Sequence, residues 1–310
     1  MTAPLAPLAR PARLAPGDRV AVVAPSGPVP PPRLAAGLAA LREWGLDPVA
    51  GEHTADTHLR HLAGTDHDRA ADLRRAWCDP GVAAVFCARG GYGAQRMADL
   101  LDWDALRAAG PKAFVGFSDI TALHEAFATR LGFATLHGPV VATDGFLASP
   151  AARRSLHRTL FEPDTARTLA GGRTLLPGTA RGVTLGGCLS LLASDLATPT
   201  GRRSAAGGLV LLEDVEEEPY RIDRYLTQLL RSGWFDGATG VLLGSWRDCG
   251  DPDELDALFL DRLGGLGVPL VTDAGFGHGP DPRTVPLGAA AVLDATGDTP
   301  VLRLAEPALR

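Results

Sequence analysis

Three residues in this chain combine side chains suited to acyl transfer with neighbours that would leave them usable. Ser118 follows the apolar run Ala113 to Phe117 and precedes helical spacing at Ile120, Leu123, Ala126 and Phe127, which places it at a strand-to-helix junction. Such a turn holds a hydroxyl clear of the backbone, beside the unpaired N–H groups that open a helix. The position equally suits an N-cap, the ordinary use of serine before an apolar helix. The G-x-S-x-G elbow is met only at Gly116, because Ile120 stands where the second glycine belongs. His278 sits between Gly277 and Gly279 in a Pro-bounded loop, where small neighbours leave an imidazole open; a surface histidine would read the same way. Glu213 ends the apolar run Gly208 to Leu212, which puts its carboxylate at the rim of a core, and Asp214, Glu216, Glu217 and Glu218 compete for the same place. A serine hydroxyl needs a base within hydrogen-bond reach, itself held by a third group, and these three residue types form such a set.

The elements that must position them follow from periodicity. A β-branched run over 18–24 closes in Pro25-Ser-Gly-Pro28, a helix is predicted over 34–44 and a short strand over 46–49. The strand predicted over 82–87 runs into Ala88-Arg-Gly-Gly-Tyr-Gly93, whose glycines would let backbone N–H groups approach an anion, and a helix follows over 94–101. That turn lacks the G-x-G-x-x-G spacing of a dinucleotide site. Strands and helices alternate to Val141, so the first half reads as an α/β fold with a mostly parallel sheet covered on both faces. From Asp144 to Pro177 periodicity weakens and Pro, Gly and Arg become frequent. Residues 1–145 are therefore expected to form an N-terminal α/β domain, 146–180 a linker, and 181–310 a C-terminal domain. In the latter, strands are predicted over 181–187, 208–212, 238–245 and 268–273, helices over 188–196, 220–231 and 254–263, and short β runs near 284–287, 289–294 and 301–304.

Composition narrows the function classes. At 310 residues the chain is long for one core, and 45% hydrophobic residues suffice for two. Thirty Lys and Arg against 36 Asp and Glu give −6, with no basic run, which argues against a nucleic-acid surface and for a small-molecule or peptide partner. The four cysteines are scattered without a C-x-x-C pair, suggesting neither a zinc site nor a disulfide framework. His53, His58, His61 and His67 fall in a polar segment at spacings that match no compact ligand motif, so no metal is expected. Neither a signal-like stretch nor a transmembrane run is found, and a cytoplasmic protein is expected.

Gly116-Phe-Ser-Asp-Ile-Thr121, Ala88-Arg-Gly-Gly-Tyr-Gly93, Leu212-Glu-Asp-Val215 with Pro219-Tyr-Arg-Ile-Asp-Arg224, and Gly277-His-Gly279 with Thr284-Val-Pro-Leu-Gly288 together resemble the LD-carboxypeptidase family. These are the S66 serine peptidases, which include the microcin C immunity proteins. The likeness runs from about Asp18 to Asp294 in matching order; Ala197 stands where a glycine is expected. The resemblance implies a Ser118, Glu213, His278 triad and selects Glu213 over its acidic neighbours. It also implies an oxyanion hole from the backbone N–H groups of Gly91 and Asp119, and it makes Arg89 a candidate for the substrate carboxylate, although an ion pair bracing the glycine turn would equally account for that arginine. It further implies an N-terminal domain like that of class I glutamine amidotransferases and a smaller β-rich C-terminal domain, with the cleft between them. The implied activity is hydrolysis of the bond that releases terminal D-alanine from murein tetrapeptides, without a cofactor, in a homodimer. Two alternatives stand beside it: a microcin-immunity-type amidase acting on an aminoacyl-nucleotide, and a nucleotide-binding α/β protein without hydrolase activity. Relatives of the amidase type carry a longer active-site loop, for which the interval from Glu213 to His278 leaves little room.

Overall fold

The computed structural model describes residues 5–310, so Met1 to Pro4, at the start of the Pro-rich segment, lie outside the described residues. Strands β1 (Arg19–Val23), β2 (Asp47–Ala50), β3 (Ala84–Cys87), β4 (Ala113–Gly116) and β5 (Thr135–His137) pair in parallel. The central strands β3 and β4 are short apolar runs buried on both faces, as strands between two helical layers must be. The second sheet contains β6 (Thr168–Ala170), β7 (Arg173–Leu176), β8 (Thr179–Cys188), β9 (Gly208–Val215), β10 (Gly240–Arg247) and β11 (Leu270–Thr272). The chain then returns to the first sheet as β12 (Val285–Leu287), antiparallel to β5, before β13 (Ala290–Asp294) and β14 (Val301–Leu304) complete the second. The orders are β12-β5-β4-β3-β1-β2 and β6-β14-β13-β8-β9-β10-β11-β7, with β8 to β11 parallel and the outer strands antiparallel. The architecture is the mixed α/β fold expected from the alternation of strands and helices.

Several local readings change. The segment expected as a linker holds the helix Pro150–Phe161 and the strands β6 and β7. Ser149 caps that helix by accepting from the Ala152 N–H at 3.0 Å, and proline opens it, so its start was signalled by residues that also read as loop. The helix predicted over 94–101 stops at Ala98, and a separate helix, Trp103–Ala109, begins behind an Asp102 cap that the sequence reading passed over. The strand expected near the end of the alternation that reaches Val141 is confined to Thr135–His137.

The two sheets share packing. One buried cluster extends from Val22 and Val115 through Leu211 and Phe276 to Leu293, joining residues of both. The N-terminal segment crosses the same joint: the Leu5 N–H donates to Ala206 O (3.2 Å), Leu8 to Gly288 O (2.8 Å) and Ala9 to Gly132 O (2.8 Å). No helix among the described residues is long and apolar enough to cross a membrane.

Candidate active site

Strand β4 ends at Gly116, Phe117 is extended, and Ser118 turns into the left-handed region at φ 65° before a helical turn over 118–120 and the helix Thr121–Ala126. For a residue with a side chain this conformation costs on the order of 1–3 kcal/mol and persists only where the surroundings enforce it. The N-cap reading of Ser118 fails on geometry: Phe117 occupies the cap position, and the Ser118 hydroxyl makes no hydrogen bond to any described residue. The hydroxyl is thus available, on a turn whose Asp119 N–H has no carbonyl one turn back to take it.

The glycine turn lies against this hydroxyl. A Cβ on Gly90 would fall 3.0 Å from Ser118 Cβ and 3.2 Å from Oγ, so any side chain there would press on the serine and push it by a few tenths of an ångström. The next residue, Gly91 (φ 115°), has no acceptor for its N–H among the described residues. What holds the turn in place is the side chain of Asp119, which sequence reasoning used only for its backbone. Its Oδ2 accepts from Ser26 Oγ (2.5 Å) and from the Ala94 N–H (2.8 Å), tying the turns after β1 and β3 to the nucleophile turn. Burial raises the Asp119 pKa against the pull of those bonds. Arg69, its side chain fully buried, donates to Pro25 O (2.5 Å) and Gly93 O (2.7 Å) and ion-pairs with Asp66, bracing the same two turns from behind.

Glu213 lies on β9 opposite Cys188 of β8, and Thr121 Oγ1 accepts from the Cys188 N–H at 3.0 Å, so the helix behind Ser118 is pinned one strand away from Glu213. The carboxylate is completely buried. Its Oε2 accepts from His278 Nδ1 at 2.6 Å and from the His278 N–H at 3.2 Å. A Cβ on Gly277 would fall 2.5 Å from Glu213 Oε2, and φ there is 93°, so the glycine before His278 is what lets the loop close over the carboxylate. Burial alone would raise the Glu213 pKa, but the two imidazoles beside it hold it down at about 2. Burial likewise works to lower the His278 pKa, and the Glu213 charge and hydrogen bond carry it above its ordinary value. Among the described residues no hydrogen bond joins His278 to the Ser118 hydroxyl; the imidazole instead packs on Phe117, the residue before the serine, with ring centroids 4.7 Å apart.

A second histidine, missed in the sequence, stands behind the carboxylate. His137, at the end of β5, is buried, and its Nε2 lies 3.6 Å from Glu213 Oε1, too far for a formed hydrogen bond. Both His137 ring nitrogens and Glu213 Oε1 lack hydrogen-bond partners among the described residues. The sequence signal was slight, a histidine between Leu136 and Gly138 in a mostly apolar stretch.

The structure also sorts the competitors. Asp214 accepts from the Ser190 N–H at 2.8 Å and so serves the helix Leu189–Ser194, Glu217 pairs with Arg221, and Glu218 precedes the helix Pro219–Arg231. Arg89 is exposed and donates to Pro28 O (3.1 Å); no carboxylate among the described residues pairs with it, so the ion pair weighed for it does not form. Ala197 adopts φ 65°, the conformation that accounts for the glycine expected there.

Comparison with known proteins gives a consistent picture. Residues 20–138 match the LD-carboxypeptidase N-terminal domain and residues 181–293 the LD-carboxypeptidase C-terminal domain. A putative carboxypeptidase of Streptomyces coelicolor is 66% identical over 97% of this chain and 98% of its own length. The murein tetrapeptide carboxypeptidase of Pseudomonas aeruginosa is 36% identical over 89% of this chain and 93% of its own. The crystal structure of a muramoyltetrapeptide carboxypeptidase from Oxalobacter formigenes superposes with a TM-score of 0.81 at 27% identity, covering 93% of this chain and 99% of that one.

Proposed function

This chain belongs to the LD-carboxypeptidase family of serine-type carboxypeptidases, and from that premise we propose that it cleaves the L–D peptide bond that releases terminal D-alanine from murein tetrapeptides. The observation that carries this reading is the buried Glu213–His278 pair, closed at 2.6 Å against the residue that precedes a strained, unbonded Ser118. In the reaction the Ser118 hydroxyl attacks the scissile carbonyl while His278 Nε2 takes its proton. Glu213 holds the Nδ1–H and stabilises the imidazolium as it forms. The N–H groups of Gly91 and Asp119 receive the oxyanion, a contribution on the order of a hundredfold or more in rate per donor. His278 then returns the proton to the leaving amine of D-alanine, and water, activated by the same base, releases the tripeptide from the serine. Closure of the His278-to-Ser118 hydrogen bond belongs to the substrate complex, since catalytic hydrogen bonds are often long in unliganded enzymes. Arg89, exposed beside the glycine turn, is the cation assigned to the free carboxylate of D-alanine. A cytoplasmic homodimer completes the reading, and sedimentation of the purified protein tests the dimer.

The decisive experiment incubates the protein with purified murein tetrapeptide and follows free D-alanine by mass spectrometry, with Ser118→Ala in parallel. Wild type releases D-alanine, and the variant loses at least about 10⁴-fold in rate. Intact tetrapeptide after incubation with folded wild type sinks the substrate assignment; turnover by the alanine variant sinks the mechanism.

A further inference from the structure

A cavity of about 830 Å³ is lined by neither Ser118, Glu213 nor His278. It lies behind the loop that carries His278 and gathers positive charge. Arg154 and Arg158 from the helix Pro150–Phe161, Arg167 ahead of β6, and Arg283 at the end of the loop all line it, against one carboxylate, Asp281. None of the four arginines pairs with a carboxylate among the described residues. Asp281 is itself engaged, accepting from Ser149 Oγ at 2.6 Å. On a chain of net charge −6, convergence of four unpaired guanidiniums in one concavity leaves a local excess of positive charge that a ligand would neutralise.

The cavity is also built for oxyanion acceptors. Three of the arginines are steadied by backbone carbonyls: Arg158 by Thr165 O (3.2 Å), Arg167 by Leu304 O (3.0 Å) and Arg283 by Ala170 O. A guanidinium carries five N–H donors, so each keeps donors in excess of those bonds. Thr284 lines the same cavity, is 8% exposed, and has a buried Oγ1 without a hydrogen-bond partner among the described residues. A buried hydroxyl left unpaired is costly, and an acceptor-only ligand removes that cost.

We propose that this cavity is a binding site, separate from the nucleophile, for a small phosphate-bearing anion of diphosphate type. Forked guanidiniums and a hydroxyl suit tetrahedral oxyanions, and a multivalent anion matches four cations opposed by one carboxylate, where a neutral ligand would leave them uncompensated. The site touches the catalytic loop at its neck: the Arg283 N–H donates to Gly275 O at 2.9 Å, both residues line the cavity, and His278 lies between them in the chain. An anion bridging Arg283 to the helix arginines therefore braces the base of that loop.

The test titrates the full chain with inorganic diphosphate by calorimetry and thermal unfolding, with sulfate at matched ionic strength as the comparison. The expected result is saturable one-to-one binding with a raised Tm. Affinity falls at least tenfold in the exposed double variant Arg154→Gln/Arg158→Gln and falls also in Thr284→Val. Because neither helix arginine belongs to the catalytic set, the double variant keeps its hydrolysis of tetrapeptide. The proposal is overturned by absence of saturable binding, by equal binding of sulfate, by undiminished binding to the double variant, or by diphosphate acting as a competitive inhibitor of hydrolysis, which would place it in the substrate cleft.

Discussion

At the scale of single residues, the site depends on which groups are spent and which are left free. Asp214 and Glu217 are consumed by local structure, while Glu213 gives one oxygen to His278 and keeps the other facing His137. Because the His278 pKa is raised and the base must be neutral to accept a proton, kcat/KM rises with pH through a limb lying above the value near 6.5 of a free imidazole. Replacing Glu213 with Gln removes the charge that raises it. The limb then moves to lower pH and kcat/KM falls roughly 10³- to 10⁴-fold, as a pH–rate profile on tetrapeptide would read. An unmoved limb would separate the carboxylate from the base. His137 acts as a positioning residue for Glu213. His137→Phe keeps an aromatic ring among Phe117 and Phe276 but withdraws the polar neighbour of Glu213 Oε1, so kcat falls about tenfold with KM little changed. His137→Gln, which retains an N–H donor, recovers part of the loss; a purely space-filling histidine would give the opposite order.

At the scale of elements, turns carry the strain. Ser118 and Ala197 both hold φ 65°, but only the first serves a proposed reacting group. Ala197→Gly accordingly stabilises the protein by about 1 kcal/mol in chemical denaturation without altering turnover. Gly277→Ala has the reverse character: it drives a methyl into Glu213 and demands a left-handed alanine. It should destabilise by about 1–3 kcal/mol and lower kcat, since the loop must lift from the carboxylate. The principal strands were legible because parallel strands buried on both faces are unbroken apolar runs. The region 146–180 was not, because its helix is amphipathic and rich in arginine and its two strands are short and half-exposed, so burial left little pattern to read.

At the scale of the whole molecule, a buried ion pair joins the halves. Arg202 Nε lies 2.7 Å from Glu125 Oε2, with side-chain exposures of 9% and 4%, linking the helix behind Ser118 to the loop before β9. Burial raises the Glu125 pKa, the Arg202 charge opposing it. Arg202→Met strands that carboxylate and costs about 3–5 kcal/mol in equilibrium unfolding, whereas the double change with Glu125→Leu recovers much of it. The crossing of β12 into the first sheet and of the N-terminal segment between the halves makes this joint part of the core, with none of the contact sparseness of a linker.

The sequence by itself determined the alternation of strands and helices and the junction at Ser118, because periodicity and glycine spacing are local properties of a chain; the proposed triad came from resemblance to a family, since spacing left Glu213 among four acidic competitors. Only the tertiary structure decided that the Ser118 hydroxyl is not a cap, that Asp119 and Arg69 lock the two turns, that His137 stands behind Glu213, and that four distant arginines share one cavity. Those facts depend on which backbones approach one another across many residues, and sequence spacing carries no record of such distances.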